Sequence, residues 1–217
     1  MGTVVPKQYL PLAGSSVIEH SLAALTNCDF IESVMVVISK DDKYAAELAS
    51  LRSSRVRMCH GGASRSESVL AGLQALQCFA QPEDWVLVHD AVRPCVSVTD
   101  ITTLAQRVIQ AGVGGILAEK VVDTIKRADA GHRVVKTVAR NDLWRAQTPQ
   151  MFRLGALHDA LADAIESGRE ITDESSVMEG CEQPVQLIAG ATSNLKVTVP
   201  EDLQTAGLYL EGVVDHG

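Results

Sequence analysis

The chain has 217 residues, 46% of them apolar and 21% charged, and 19 Lys+Arg against 27 Asp+Glu give a formal net charge of −8. This length suits one domain with a sizeable core, and the composition excludes a disordered or low-complexity chain. An acidic chain with no basic run is a poor ligand for nucleic acid or an anionic membrane, though a local basic pocket for a small anion stays open to it.

No apolar run approaches the ~20 residues of a membrane span, and no basic start leads into an apolar stretch as in a signal peptide. Cys28, Cys59, Cys78, Cys95 and Cys181 are widely spaced, odd in number and form no CxxC pair. That argues against a disulfide framework or a zinc site, and for reduced thiols in a cytoplasmic protein.

In chain order, Ser16 and Glu19 have capping-box spacing and open a helix that buries Val17, Ile18, Leu22 and Leu25. The run Val34–Ile38 is continuously apolar, as in a strand covered on both faces. A helix over 43–51 and a strand over 55–59 come next. Gly61 and Gly62 then turn into a helix over 64–79, with Ser64 and Glu67 as a second capping pair. Trp85–Val88 reads as the next strand. Ile101, Leu104, Ala105, Val108 and Ile109 have helical spacing, and a strand begins over 115–118.

Strand and helix alternate to about residue 120, the pattern of right-handed βαβ units with helices on both faces of a mostly parallel sheet. The pattern then changes. Segments 121–127 and 133–138 flank a loop containing Gly131, of hairpin length, and their charge predicts a hairpin arm over 121–138 that projects from the sheet. A segment over 143–152, helices over 154–167 and 174–180, strands over 185–188 and 195–199, and a helix after Pro200 complete the expected order. No repeat or linker interrupts it, so 1–217 is expected to be one domain.

Ligands of open α/β sheets sit at the carboxyl ends of strands, so polar residues just after strands are the candidates. Asp90 comes after Trp85–Val88, where a carboxylate can hold a Mg²⁺ carrying a nucleotide phosphate. Arg93 could pair with phosphate or orient Asp90, and His89 reads as a packed histidine rather than a base. The Gly61-Gly62-Ala63 turn opens a helix whose free N–H groups favour an anion, and Arg65 and Ser68 share a face of that helix. Lys7 precedes a core-like Tyr-Leu pair, so its ammonium would be fixed and able to neutralise phosphate charge. Arg140 and Lys196 would suit a phosphate monoester. Each of these features also occurs for structural reasons alone.

Taken together, Pro6-Lys7-Gln8-Tyr9-Leu10, the GGxxRxxSV segment from Gly61, the VLVHDAVRPC segment from Val86, Asp123-Thr124-Ile125-Lys126-Arg127, Thr148-Pro149-Gln150, Thr172-Asp173-Glu174 and Asn194-Leu195-Lys196-Val197-Thr198 resemble the 2-C-methyl-D-erythritol 4-phosphate cytidylyltransferase family, in that family's order, from Gly2 to about Leu210. The resemblance implies a Rossmann-like nucleotidyltransferase fold and a homodimer made through the hairpin arm. It also implies a reaction of CTP with the polyol phosphate, using Mg²⁺, that gives the CDP-alcohol and pyrophosphate. Lys7 matches the lysine that stabilises the triphosphate, and it and Asp90 are the expected catalytic residues. Gly61, Gly62, Ala63, Arg65, Ser68, Asp90, Ala91 and Arg93 match the CTP side, with Asp90 as the metal ligand. Asp123, Thr124, Arg140, Thr148, Thr172 and Lys196 match the polyol-phosphate side, Asp123 and Thr124 reaching the partner's site.

One departure stands out. The family begins with a strand and a Gly-rich loop containing an arginine before PKQYL, whereas this chain starts Met1-Gly2-Thr3-Val4-Val5. Roughly 20 further upstream residues are therefore expected, enough for a strand of ~5–6 residues plus a phosphate loop. Two alternatives remain at this point: a cytidylyltransferase for another polyol phosphate such as ribitol 5-phosphate, or an inactive nucleotide-binding homologue. A Rossmann dehydrogenase fits poorly, since no GxGxxG turn comes after the first strand.

Overall fold

The computed structural model describes residues 5–212; the expectation about the chain's first residues falls largely on 1–4, outside that range. The described chain starts with a 3₁₀ turn, Lys7–Tyr9, anchored because buried Tyr9 stacks on Tyr44 and donates its hydroxyl to Asp42 Oδ2 at 2.7 Å. A tight hairpin of β1 (Pro11–Leu12) and β2 (Ser15–Ser16) comes next, turning through Ala13 and Gly14 at φ 43° and 81°, the left-handed geometry of a type I′ turn. Helix α1 (Val17–Thr26) starts where predicted, with the Glu19 carboxylate accepting from the Ser16 backbone and hydroxyl at 3.1 and 2.8 Å.

Strands β3 (Val34–Ile38) and β4 (Val56–His60) pair in parallel. Between them the expected helix over 43–51 is two short 3₁₀ turns, Ala45–Glu47 and Ala49–Arg52. The physical reason is local: Asp42 Oδ1 accepts from the backbone of Tyr44 and Ala45, and that side-chain turn competes with helix propagation. Next come α2 (Arg65–Leu76), β5 (Trp85–Val88), α3 (Val98–Ala111) and β6 (Gly115–Lys120). Strands β7 (Ile125–Ala128) and β8 (Val134–Val138) pair as an antiparallel hairpin with mostly exposed residues. The rest is β9 (Trp144–Arg153), α4 (Leu154–Glu166), α5 (Glu174–Glu179), β10 (Gln186–Ala189) and α6 (Pro200–Leu210). The expected strand over 195–199 does not form; Val197 N–H bonds to Val92 O, and the segment crosses as a loop.

The four-stranded sheet runs β10-β6-β9-β5. Strand β9 is antiparallel to both β5 and β6, while β10 is parallel to β6. The fold is α/β with a mixed sheet, so the mostly parallel expectation is met only in part. Alternate strand residues feed two cores. Ile116, Ala118 and Phe152 pack against α4, and Leu117, Met151 and Ile188 pack against α3, as the two-residue side-chain period of strands requires.

Strands β3 and β5 do not pair with each other. Between them lies a cavity of about 740 Å³, lined by Val34–Ile38, by Trp85–Val88, and by apolar side chains of α1 and α2. Val34 N–H donates to Arg55 O and Ile38 O accepts from Gly61 N–H, each at 2.8 Å. By the alternation of a parallel ladder, the peptide groups of Met35 and Val37 therefore point into the cavity. In a protein beginning at Met1, amide hydrogen exchange should be faster at Met35 and Val37 than at Val36 and Ile38, by roughly tenfold or more. Equal protection at all four amides, measured by NMR, would mean that another strand fills the cavity or that its walls close.

Candidate active site

The larger cavity opens where β3 and β5 end, and there it meets a second, polar cavity of about 300 Å³. Arg65, Asp90 and Lys196 line both. Asp90 emerges directly after β5, Arg65 is the first residue of α2, and Lys196 sits in the loop before α6. Their side chains converge. Asp90 Oδ1 lies 3.0 Å from Arg65 Nη2, Asp90 Oδ2 lies 2.9 Å from Lys196 Nζ, and Arg93 Nε stands 3.8 Å from Oδ2. The Asp90 side chain is only 11% exposed. Burial pushes its carboxyl up, but Arg65 and Lys196 outweigh that and hold it below the usual carboxylate range.

Arg65 is shared. Its Nη1 and Nη2 donate to Glu174 Oε1 and Oε2 at 2.7 and 3.1 Å, and its Nε donates to Asp90 Oδ1 at 3.1 Å. Burial would lower this guanidinium; Glu174 and Asp90 override it and raise it. Glu174, 2% exposed at the first position of α5, falls in the Thr172-Asp173-Glu174 motif, but the sequence gives it no role at the site. An acidic residue there reads simply as favourable to the helix dipole, and nothing local announces a partner 109 residues away.

Strand β9 forms the opposite wall. Its register sets Gln150 against Val88, so Thr148 lies beside Asp90. Asp90 N–H donates to Thr148 Oγ1 at 3.0 Å, and Thr148 Oγ1 is 2.9 Å from His89 Nδ1. His89 Nε2 is 3.2 Å from Arg93 O. His89 is the packed histidine expected, and burial pushes it down to about 4. Buried Gln150 donates to Asp173 Oδ2 and accepts from Ser175 N–H, fixing α5 to β9. Arg93 Nη1 donates to Asn194 O at 2.7 Å, and its buried Nε has no hydrogen-bond partner among the described residues.

The structure thus brings Arg65, Asp90, Arg93, Thr148, Thr172 and Lys196 around one cavity. Ser68 and Ala91 line the larger cavity beside it. Ser68 Oγ donates to Ser64 O at 2.8 Å, and Ala91 O accepts from Ser21 Oγ at 3.0 Å. Gly61, Gly62 and Ala63 line neither cavity, nor does Lys7, although its neighbours Gln8 and Tyr9 line the larger one. The two glycines have a packing reason of their own: a Cβ on Gly61 would meet Ser68 Oγ at 2.5 Å, and one on Gly62 would meet Glu67 Cβ at 2.4 Å. Asp123, Thr124 and Arg140 are absent from both linings. Arg140 donates to Val122 O at the root of the β7–β8 hairpin.

A buried carboxylate ringed by cations suits binding and charge stabilisation of phosphates. The family model for 2-C-methyl-D-erythritol 4-phosphate cytidylyltransferase matches residues 1–212. The Vibrio vulnificus (strain CMCP6) protein of that name is 46% identical over 205 residues, covering 94% of this chain and 86% of the relative. The Pseudomonas aeruginosa (strain UCBPP-PA14) protein of that name is 47% identical over 199 residues, covering 91% and 85%. Among solved structures, a 4-diphosphocytidyl-2C-methyl-D-erythritol synthase superposes with a TM-score of 0.85 at 38% identity, covering 94% of each chain. The Francisella tularensis 2-C-methyl-D-erythritol 4-phosphate cytidylyltransferase gives 0.82 at 31% identity, covering 94% and 93%.

A depressed carboxyl pKa adds stability above its unfolded value and loses it as pH falls through the folded one. Asp90→Asn, nearly isosteric, should therefore cost about 1–3 kcal/mol near pH 7, and the gap to the parent should close below about pH 4, the ordinary aspartate value. Urea unfolding of both proteins at pH 7 and pH 3 decides it; an equal gap at both would show that the charge of Asp90 contributes nothing.

Proposed function

Because the chain belongs to the 2-C-methyl-D-erythritol 4-phosphate cytidylyltransferase family, it is a nucleotidyltransferase that joins CTP to 2-C-methyl-D-erythritol 4-phosphate in isoprenoid synthesis, and we propose that the cluster around Asp90 is where this happens. The observation that supports the placement is the convergence of Arg65, Arg93 and Lys196 on one buried carboxylate at the end of β5. Neither the ribitol 5-phosphate alternative nor the inactive homologue is favoured by the family match.

In this reading a phosphate oxygen of the polyol phosphate attacks the α-phosphorus of CTP in line, and pyrophosphate leaves. Positioning and charge stabilisation carry such a transfer. Without substrate, Asp90 occupies Arg65 and Lys196; phosphate oxygens would compete for both cations. Lys7, Gly61, Gly62, Ala63, Arg65, Ser68, Asp90, Ala91 and Arg93 form the CTP side, and Thr148, Thr172 and Lys196 form the polyol side.

Asp90 and Asp173 are the carboxylates lining the smaller cavity, and Asp173 caps α5 through Ser176 N–H. No group of three or more His, Cys, Asp or Glu among the described residues could hold a metal. That donor set fits a Mg²⁺ kept mainly by phosphates and water, with Asp90 as its protein ligand. Such an ion would neutralise charge on the triphosphate.

The cavity between β3 and β5 has the lining of a slot for one more strand. We assign it to the strand and Gly-rich loop that precede PKQYL in the family, within a single domain of Rossmann-like, doubly wound plan. The five free cysteines support a cytoplasmic setting.

The β7–β8 hairpin is read as a projecting dimer arm. Val122, Val134 and Val135 are exposed on or beside it, and a lone two-stranded hairpin is only marginally stable in water. Asp123 and Thr124, with Arg140 at its root, would then serve the partner's site. Deleting residues 124–136 should give a monomer with little activity; a parent protein that sediments as a monomer would contradict this.

The function itself is tested by pyrophosphate release from CTP with 2-C-methyl-D-erythritol 4-phosphate or ribitol 5-phosphate, the first being the faster substrate. Lys196→Ala should raise KM for the polyol phosphate roughly ten- to a hundredfold, the worth of a charge-assisted contact, with KM for CTP little changed. Equal damage to both KM values would remove Lys196 from the polyol side.

A further inference from the structure

The hydrogen bonds around His89 have a definite direction. Arg93 O, a carbonyl, only accepts, so the proton shared with it sits on His89 Nε2. A neutral imidazole carries a single N–H. His89 Nδ1 is then bare and takes the hydroxyl proton of Thr148 across 2.9 Å. With its proton committed, Thr148 Oγ1 accepts from Asp90 N–H. What remains is one oxygen lone pair on a side chain that lines the smaller cavity. Thr148 is 4% exposed, so it has little freedom to choose another arrangement.

We propose that His89 is a positioning residue that acts through Thr148: it fixes the threonine hydroxyl as an acceptor, so that the group received there is a hydroxyl of the polyol and not its phosphate. A phosphate oxygen has no proton to give at neutral pH and would meet a lone pair, whereas a polyol hydroxyl donates. The phosphate is left to the cations on the same cavity, half-exposed Lys196 among them. The same imidazole holds the Arg93 carbonyl, so one ring spans the 89–93 turn and the β9 wall. This rests on placing the polyol phosphate in the smaller cavity.

The test is a double-mutant cycle of His89→Phe and Thr148→Val, assayed at pH 8 with both substrates varied. Each single variant should raise KM for the polyol phosphate roughly three- to tenfold, the loss of one neutral hydrogen bond, with KM for CTP unchanged. The double variant should be no worse than either single one. His89→Asn, whose amide oxygen can replace Nδ1 as acceptor, should restore most of the loss; His89→Gln should not. Inorganic phosphate, used as a competitor, should inhibit the His89 and Thr148 variants as it does the parent.

If Thr148→Val leaves all constants at parent values, the polyol placement fails, and the proposal fails with it. If Thr148→Val is impaired but His89→Phe is harmless, or if the two effects multiply, the coupling is absent and only the proposal falls. Weakened phosphate inhibition in either variant would overturn the acceptor assignment. Should His89→Phe not fold, ¹⁵N-histidine NMR on the parent and on Thr148→Val settles it. The proton should sit on Nε2 in both, and the Nδ1 resonance should move when the hydroxyl is removed; a proton on Nδ1 refutes the proposal.

Discussion

Arg65 stands between two carboxylates that belong to different parts of the fold, and the site depends on that shared guanidinium. One edge of the fork is taken by Glu174 at the start of α5, the other by Asp90 at the end of β5. Glu174 is almost fully buried and, without Arg65, would be an uncompensated charge inside the protein, an expensive state. The pair therefore fixes where α2 begins relative to α5. Asp90 is held differently. Its partners Arg65 and Lys196 are each more than a third exposed, so an incoming phosphate can compete with Asp90 for both.

The wall facing Asp90 comes from a strand running the wrong way for a simple βαβ repeat. Because β9 lies antiparallel between β5 and β6, its middle residues pass the carboxyl end of β5, while the carboxyl end of β6 pairs with Trp144 at the start of β9. Thr148 thereby reaches the backbone of Asp90, while Gln147 and Gln150, both buried, are satisfied by Ala191 O and by Asp173. A parallel strand would have pointed its carboxyl end, not its middle, at this place. The buried amides show what the arrangement demands: polar side chains inside a sheet must be paired or they destabilise it.

Much of this is legible in the sequence, and the exceptions have physical causes. The helices announce themselves by caps and by apolar spacing: Ser64 with Glu67 opens α2, and Ile101, Leu104, Ala105 and Val108 mark α3, as observed. The apolar runs at Val34–Ile38 and Trp85–Val88 are strands. Strand β9 reads only as a segment because Gln147, Thr148, Pro149 and Gln150 break the alternation that marks a strand, and the direction of pairing is not written in local pattern at all. The helix expected over 43–51 loses to the Asp42 turn, a side-chain–backbone competition that spacing does not reveal. Asp90 and Arg93 stand out by their place just after a strand, and Lys196 by motif order. Glu174 does not stand out as a site residue, because a buried ion pair over 109 residues leaves no trace in local pattern.

The cavity between β3 and β5 separates the β3–β4 pair from the four-stranded sheet, and the candidate CTP and polyol residues fall largely on opposite sides of it. Gly61, Ser68 and the start of α2 belong to the β3–β4 side, whereas Thr148, Thr172 and Lys196 belong to the four-stranded side. An in-line transfer between two bound phosphates tolerates little relative movement; an error near 1 Å costs about a hundredfold in rate. Leu73 of α2 shares a buried core with Phe152 and Leu157 of the four-stranded side, but such packing does not by itself fix polar geometry at the site. Directed, charge-assisted bonds do, and Arg65 makes them from α2 to Asp90 and to Glu174, both on the four-stranded side. On this view Arg65 sets the distance between the two substrates as well as contributing charge. Lysine, with the same charge but no planar fork, could hold one carboxylate but not bridge both in a fixed geometry.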